Sequence, residues 1–239
     1  MKLTDASILH KALLAVAVML LPVIITFTVT YVKSSRHIKR FAVDDLTVMA
    51  EAFEGQVYQF LEMSRRRARD FSSDRNIGDM ASRLASGDGS AAGPLARYLT
   101  ENKLPLEKNI IRICVISLDG VVLASTDASH VGVDVSGEQY FQRAAAGVDV
   151  AETPASDGRT EIAVTSDILD PSTGSVAARL VNLIDLADVG DALSGNYNRA
   201  LGAISWSKGK RKSMEAYLVN RDGLMLTESL FVKDAPFKQ

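Results

Sequence analysis

Two short apolar runs, Ile111–Ile116 and Val121–Ala124, flank the dipeptide Asp119-Gly120. The β-branched residues in both runs suit a pleated, half-buried surface. Asp-Gly between such runs predicts a hairpin, with both residues at the positive-φ centre of a type I′ turn. The pattern returns at Ala216–Glu228, AYLVNRDGLMLTE, where Asp222-Gly223 follows Asp119-Gly120 by 103 residues. Tyr217 then aligns with Cys114, Leu218 with Val115, Val219 with Ile116 and Leu226 with Leu123. That spacing is too long for a solenoid repeat and suits two tandem small domains.

Residues Ala12 to Val32 carry no charge. As a helix rising about 1.5 Å per residue they would span roughly 30 Å, the hydrocarbon thickness of a bilayer. Pro22 is tolerable in such a span, and Tyr31 lies where an aromatic belt would sit. The run exceeds the apolar core of a cleaved signal peptide, so an uncleaved signal anchor is expected. Lys2 and Lys11 precede it, while Lys33, Arg36, Lys39 and Arg40 follow. Counted alone, these charges would place the C-terminal side in the cytoplasm, although long following domains cross largely regardless of them.

From His37 to about Ser72 a narrow stripe of Leu46, Met49, Phe53, Val57 and Phe60 recurs at helical spacing, extended by Phe71. Such a stripe serves either as a dimer seam or as a stalk packed on its own domain. Arg65, Arg66, Arg67 and Arg69 read as a solvated face. Short helices are predicted at Ile77–Leu84 and Leu95–Glu101, the second begun by Pro94. After the hairpin come a polar loop, Thr126–Gly137, and a helix start at Glu138–Ala144. Two strands, Glu161–Leu169 and Ser175–Asp185, are joined by Asp170-Pro171-Ser172-Thr173-Gly174, and Leu186–Leu193 reads as a closing helix. This order predicts an α+β fold with an antiparallel sheet, one face covered by helices. The expected divisions are a cytoplasmic N-terminus (1–11), a transmembrane helix (12–32), a stalk helix (33–72), a distal lobe (73–193), and a linker with an incomplete second lobe (194–239).

Composition narrows the function. The 239 residues carry a formal charge of −2 with 47% hydrophobic and 23% charged residues, and the mean hydropathy is +0.07. This is the balance of a folded protein without the concentrated basic surface that nucleic acid requires. The single cysteine, Cys114, lies inside a predicted strand, where a small buried apolar role suits it. No phosphate-binding Gly-rich loop, nucleophile elbow or zinc-protease motif occurs. His130 has Asp127 and Asp134 nearby, but one imidazole without a second or a thiol is a poor metal site. Carboxylates such as Asp44-Asp45 converge on no pocket. No enzyme activity, metal or cofactor is expected within these residues.

The motifs ICVISLDGVVLAST, SGEQYFQRAAAG, IAVTSDILDPSTGSVAARLVNLIDL and EAYLVNRDGLMLTESLF, in this order behind an N-terminal anchor and a long helix, carry a family resemblance. The arrangement resembles the double Cache, PAS-like sensor domain of bacterial transmembrane receptors. These include chemoreceptors, sensor histidine kinases and cyclic-dinucleotide enzymes. The resemblance implies a small ligand between the sheet and the loop-plus-helix covering it. Tyr140 and Phe141 match the aromatic pair of the pocket wall, and Asp167 lies near the position that holds a ligand amine. Arg143 and Arg159 are cations that could pair with a carboxylate. Gly137, Glu138 and Gln139 stand where amino-acid-binding members carry an arginine and an aromatic. Core roles for Tyr140 and Phe141, and a solvent-facing role for Asp167, are the alternatives.

A receptor of this kind needs a completed second lobe, a second span and an output module, so the sequence reads as truncated in the second lobe. The expectation is an extracytoplasmic sensor in the inner membrane, homodimeric through the long helix and responsive to a small molecule. The alternative is an anchored scaffold whose sheet edge pairs with another protein, with no small ligand. A cytoplasm-facing PAS module is a third reading, resting on the basic flank.

Overall fold

The computed structural model describes residues 8–146, 150–154, 160–187, 189, 216–227 and 229. Two compact units divide the chain, Met1–Glu54 and Gly55–Gln239. Helix α1 runs from Ile8 to Ser72. Residues 12–32 are exposed throughout, and α1 contains the one segment among the described residues long and apolar enough to cross a membrane. Within it the Thr26 hydroxyl donates to the Pro22 carbonyl at 2.8 Å. The helix continues through the proline, as local side-chain bonding permits.

In the second unit, α1 ends where Asp74 begins the next helix. Asp74 accepts from the Asn76 backbone N–H and caps α2, Arg75–Ala85. Asp88 then caps a short 3₁₀ turn that leads into α3, Ala92–Tyr98. This helix starts earlier than Pro94 alone predicts, because the Asp88 cap sets the entry and a proline in the first turn needs no N–H partner. The chain then enters the sheet: β1 (Ile110–Ile116), β2 (Val122–Ser125), helix α4 (Gln139–Ala145), β3 (Val150–Pro154), β4 (Thr160–Leu169) and β5 (Val176–Asp185). The five strands lie in the order β2-β1-β5-β4-β3, every pair antiparallel. This is the α+β architecture with an antiparallel sheet expected from the pattern, in the PAS-like form that the resemblance implies. Of the predicted closing helix, Leu186 is not helical, Ala187 and Val189 are, and the other positions lie outside the described residues.

Strand β3 had no counterpart in the sequence reading. It is five residues long, ends in Pro154 and pairs with β4 alone. A short edge strand offers too few alternations to stand out, and its proline is allowed only because the strand lies at an edge. The other edge is closed locally. Gly132 N–H donates to the Val122 carbonyl at 2.8 Å, Val122 N–H to Val133 at 3.0 Å and Val135 N–H to Gly120 at 2.8 Å. The polar loop thus folds back as a cover on β2, occupying groups that would otherwise pair with another chain.

The hairpin turn sits one residue earlier than a type I′ turn centred on Asp119-Gly120. Gly120 N–H donates to the Ser117 carbonyl at 3.1 Å and Ser117 N–H to Val121 at 2.8 Å, so Leu118 and Asp119 are the central residues. Gly120 follows at φ +94°. A three-residue connection with glycine at the left-handed position is the next commonest hairpin solution. The same bonds recur 103 residues on: Gly223 N–H to Asn220 at 3.1 Å and Asn220 N–H to Leu224 at 2.9 Å. The side chain at the first turn residue repeats its role too. Ser117 Oγ accepts from Val121 N–H at 3.0 Å, and Asn220 Oδ1 accepts from Leu224 N–H at 2.9 Å.

The sheet buries both faces. On one, Ile113, Val115, Val164, Ile168, Leu180 and Ile184 are buried together with Phe71, Ile77, Leu84, Leu95 and Leu99 of the helices. Helix α2 packs on β4 and β5, and α3 on β2. The opposite face carries Cys114, Ile116, Ala163, Val181 and Leu183, gathered around Tyr140 and Val135.

Two substitutions test this packing. A Cβ at Gly120 would lie 2.7 Å from Ser136 Cα and 2.8 Å from its N, on top of an unfavourable φ. Gly120→Ala is expected to destabilise the protein by about 2 kcal/mol or more, read by chemical denaturation. Asn182 on β5 is wholly buried, and neither end of its amide has a partner among the described residues. Asn182→Leu should raise stability by about 1–3 kcal/mol in the same assay, since it removes an unpaired buried amide.

Candidate functional site

Residues alternating along β1, β4 and β5 place Cys114, Ala163 and Leu183 beneath α4. Tyr140, in the first turn of α4, is buried among them, with Ile116, Val122, Ala151 and Val181 completing the cluster. Burial, together with the nearby Cys114 and Glu138, pushes the Tyr140 phenol up to about 12, against the opposing pull of Arg112. Phe141, half-buried, packs on the edge of the cluster.

Around this apolar patch the charged groups are engaged with one another. Arg143 Nη1 donates to Glu152 Oε2 at 3.4 Å, joining α4 to β3. Asp167 and Arg179 are direct cross-strand partners on β4 and β5. Arg179 Nε donates to Asp167 Oδ1 at 3.2 Å, and its guanidinium lies 5.4 Å from the centre of the Phe141 ring. The structure therefore brings Phe141, Asp167 and Arg179 together, and sets Tyr140 in the apolar cluster and Arg143 on its own acidic partner. Arg159 lies outside the described residues.

The loop over this face is pinned by His130 and Asp127, neighbours already in the sequence, and by Arg112 of β1, which sequence reading did not connect to them. Arg112 Nη1 on β1 lies 2.8 Å from His130 Nε2, and His130 Nδ1 lies 3.0 Å from Asp127 Oδ2. This geometry assigns an imidazole that donates from Nδ1 to the carboxylate and accepts at Nε2 from the guanidinium. Two hydrogen bonds from Ser129 hold the Asp127 carboxyl below the usual range. Asp134 is turned to the Ser136 backbone N–H at 2.8 Å rather than toward His130.

A cleft lies elsewhere on the second unit. It encloses about 550 Å³ and is lined by Arg69, Ser72, Ser73, Asp74, Arg75 and Gly78 from the α1–α2 corner, and by Asp167, Leu169 and Pro171 from the β4–β5 hairpin. Two tethers hold its walls. Ser72 Oγ and Ser166 Oγ lie 2.8 Å apart, tying the last turn of α1 to β4. Asp74 receives Lys103 Nζ at 2.6 Å and the Tyr98 hydroxyl at 2.9 Å, while Lys103 also lies 5.3 Å from the centre of the Phe71 ring. Of the predicted site residues only Asp167 lines this cleft. Its other members escaped notice because Arg69 belongs to an arginine run that reads as a solvated face. The signal present in the sequence was Ser72-Ser73-Asp74, a helix end followed at once by a capping residue.

No family model matches the sequence, and no curated protein matches it. Solved structures do. The sensor domain of the Vibrio cholerae histidine kinase DctB is 16% identical, over 59% of this chain and 55% of that one, with a TM-score of 0.48. The ligand-binding domain of the Campylobacter jejuni chemoreceptor Tlp3, solved with 4-methylisoleucine, is 12% identical over 74% of this chain and 65% of that one, with a TM-score of 0.52. That of the Pseudomonas fluorescens chemoreceptor CtaA, solved with L-isoleucine, is 15% identical over 79% of this chain and 68% of that one, with a TM-score of 0.48. The chain thus spans little more than half of the DctB domain and about two thirds of the others. What the Tlp3 domain shares with it is a fold, that of Cache-type, PAS-like sensor domains.

Asp74 supplies a test of the corner that shapes the cleft. Burial raises its pKa, but the bonds from Lys103, Tyr98 and Asn76 outweigh that and leave it below the ordinary carboxylate value. The folded pKa being depressed, the stability this group contributes is present above the unfolded value, about 3.9, and is lost as pH falls through the folded one. Asp74→Asn, which keeps a capping side chain, should therefore cost most near neutral pH. The gap to the parent protein should close below about pH 4, as read from denaturation curves at each pH.

Proposed function

We propose that this chain is the sensing part of a bacterial signalling receptor, anchored by residues 12–32, with a small molecule as its signal and any output enzyme outside these residues. The observation that carries the reading is the sheet order β2-β1-β5-β4-β3 with both faces covered, one by the helices and one by a loop and α4. This fold is shared with the Tlp3 ligand-binding domain. In this reading the ligand lies between α4 and the sheet, with Tyr140, Phe141, Arg143, Arg159 and Asp167 as its contacts. In this reading the covered region is extracytoplasmic, at the inner membrane, and the stripe of Leu46, Met49, Phe53, Val57 and Phe60 on α1 forms a homodimer seam. Ligand binding would shift the population of helix positions, and the helix would carry that shift through the membrane.

The scaffold reading requires a sheet edge open to strand addition. The loop cover on β2 leaves it β3, an edge of five residues ending in proline, which weighs against it.

The test is a thermal-shift screen of the full chain in lipid nanodiscs against amines, carboxylates, zwitterions and purines. A ligand of the native state at a hundred times its Kd adds about 2.7 kcal/mol, a shift of several degrees. A stable fold with no shift across the panel would put the scaffold ahead. A reporter enzyme active only outside the cytoplasm, fused at about residue 110, should be active. An inactive, folded fusion would reverse the orientation.

A further inference from the structure

We infer that the turns of α1 just beyond its apolar segment form a binding face for the phosphates of anionic lipids, made by Lys33, Arg36 and Arg40. The inference rests on residues 12–32 being a membrane anchor, as proposed above, and on nothing that binds to the sheet.

The three cations recur at steps of three and four, which sets them along one face of a helix with 3.6 residues per turn. All three are exposed, and none has an ion-pair partner among the described residues. Residues 12–43 contain no carboxylate, and Asp44, one turn past Arg40, is the first. A solvated face is the ordinary role of such charges, but depth and direction set these apart.

The headgroup layer adds about 5–8 Å to each side of a bilayer's hydrocarbon. With Val32 at the edge of that hydrocarbon, the backbone has risen about 1.5 Å at Lys33, about 6 Å at Arg36 and about 12 Å at Arg40. Side chains of a helix lean toward its N-terminus. For residues that follow the span, that direction is back toward the bilayer, so the longer reach of Arg40 is turned to the phosphates as well. Tyr31, 67% exposed, ends the apolar segment where an interfacial aromatic sits.

Rotation about the helix agrees with depth. At 3.6 residues per turn the three cations lie about 140° round the helix from the mean direction of Leu46, Met49 and Phe53. In a dimer closed on that stripe they would face lipid rather than the partner helix. Lys39, seven residues before Leu46, lies toward the stripe and is not part of the face. With the following region outside the cytoplasm, the positive-inside rule gives these cations no role, whereas lipid phosphate does. Bound lipid would set the depth at which α1 leaves the bilayer.

The experiment is electron spin resonance of the full chain in phosphatidylcholine vesicles carrying spin-labelled phosphatidylglycerol or, separately, spin-labelled phosphatidylcholine. It reads the fraction of label slowed at the protein surface. The anionic label should associate about fivefold or more tightly than the neutral one, and less so at high salt. Lys33→Gln, Arg36→Gln and Arg40→Gln together keep side chains that suit a helix and should bring the two labels within about twofold of each other. Lys2→Gln with Lys11→Gln, at the opposite end of the span, should leave most of the preference. A preference kept by the triple variant, or absent from the parent chain, overturns the inference. Displacement of the label by inorganic phosphate at constant ionic strength would make this a free-anion site and overturn the lipid assignment. An alkaline wash reads the anchor separately. A parent chain that stays with the vesicles yet shows no preference loses this inference alone, whereas one that washes off loses the anchor reading with it.

Discussion

Strand β5 is the constraint on which the folded unit depends. It lies at the centre of the sheet, paired with β1 on one side and β4 on the other, and is buried over nearly all of its length. A central strand has no solvent to satisfy its backbone, so both neighbours must hold their register along it. Its alternate side chains belong to two different cores. Leu180 and Ile184 turn to the helices, Val181 and Leu183 to Tyr140 and its neighbours. A slip by one residue would exchange the two sets. Asn182, between Leu180 and Ile184 on the helical side, has no partner for its amide among the described residues, a polar cost within this strand.

Because both faces are covered, each face can have a distinct task. The helical side ties the end of α1 to the sheet through Ser72 and Ser166 and to α3 through Asp74, Lys103 and Tyr98. The other side is closed by a loop that is itself bonded to β2 and clamped to β1 by the Arg112–His130–Asp127 cluster. The Arg112 Nε is buried without a partner among the described residues, while its Nη1 serves the loop. Asp167 stands where these two sides come nearest in function, paired with Arg179 beside Phe141 and also lining the cleft beneath the α1–α2 corner.

Asp-Gly marked both hairpins, yet the dipeptide does not sit at the centre of either turn. In each, a polar side chain three residues before the glycine takes the next backbone N–H, Ser117 in the first and Asn220 in the second. The repeat is thus one of hydrogen-bonding geometry, and it survives a change of serine to asparagine because both offer an acceptor at the same reach.

Apolar spacing alone determined the existence and type of the long helix, the β1–β2 hairpin, the β4–β5 pair and α4, since period and turn chemistry are local properties of the chain. Repetition at a fixed distance, also a property of the chain itself, marked the second hairpin. The tertiary structure decided what no local pattern encodes. β3 became a strand only because β4 offered an edge, and the loop became a β2 cover because its N–H groups found Val122 and Gly120. Tyr140, Phe141, Arg143 and Asp167 read as one group by family likeness; the three-dimensional packing decided their partners, with Tyr140 in an apolar cluster, Phe141 beside the Asp167–Arg179 pair and Arg143 on Glu152. Strand order and cross-strand register fix which side chains meet, and both are set by contacts between residues far apart in sequence.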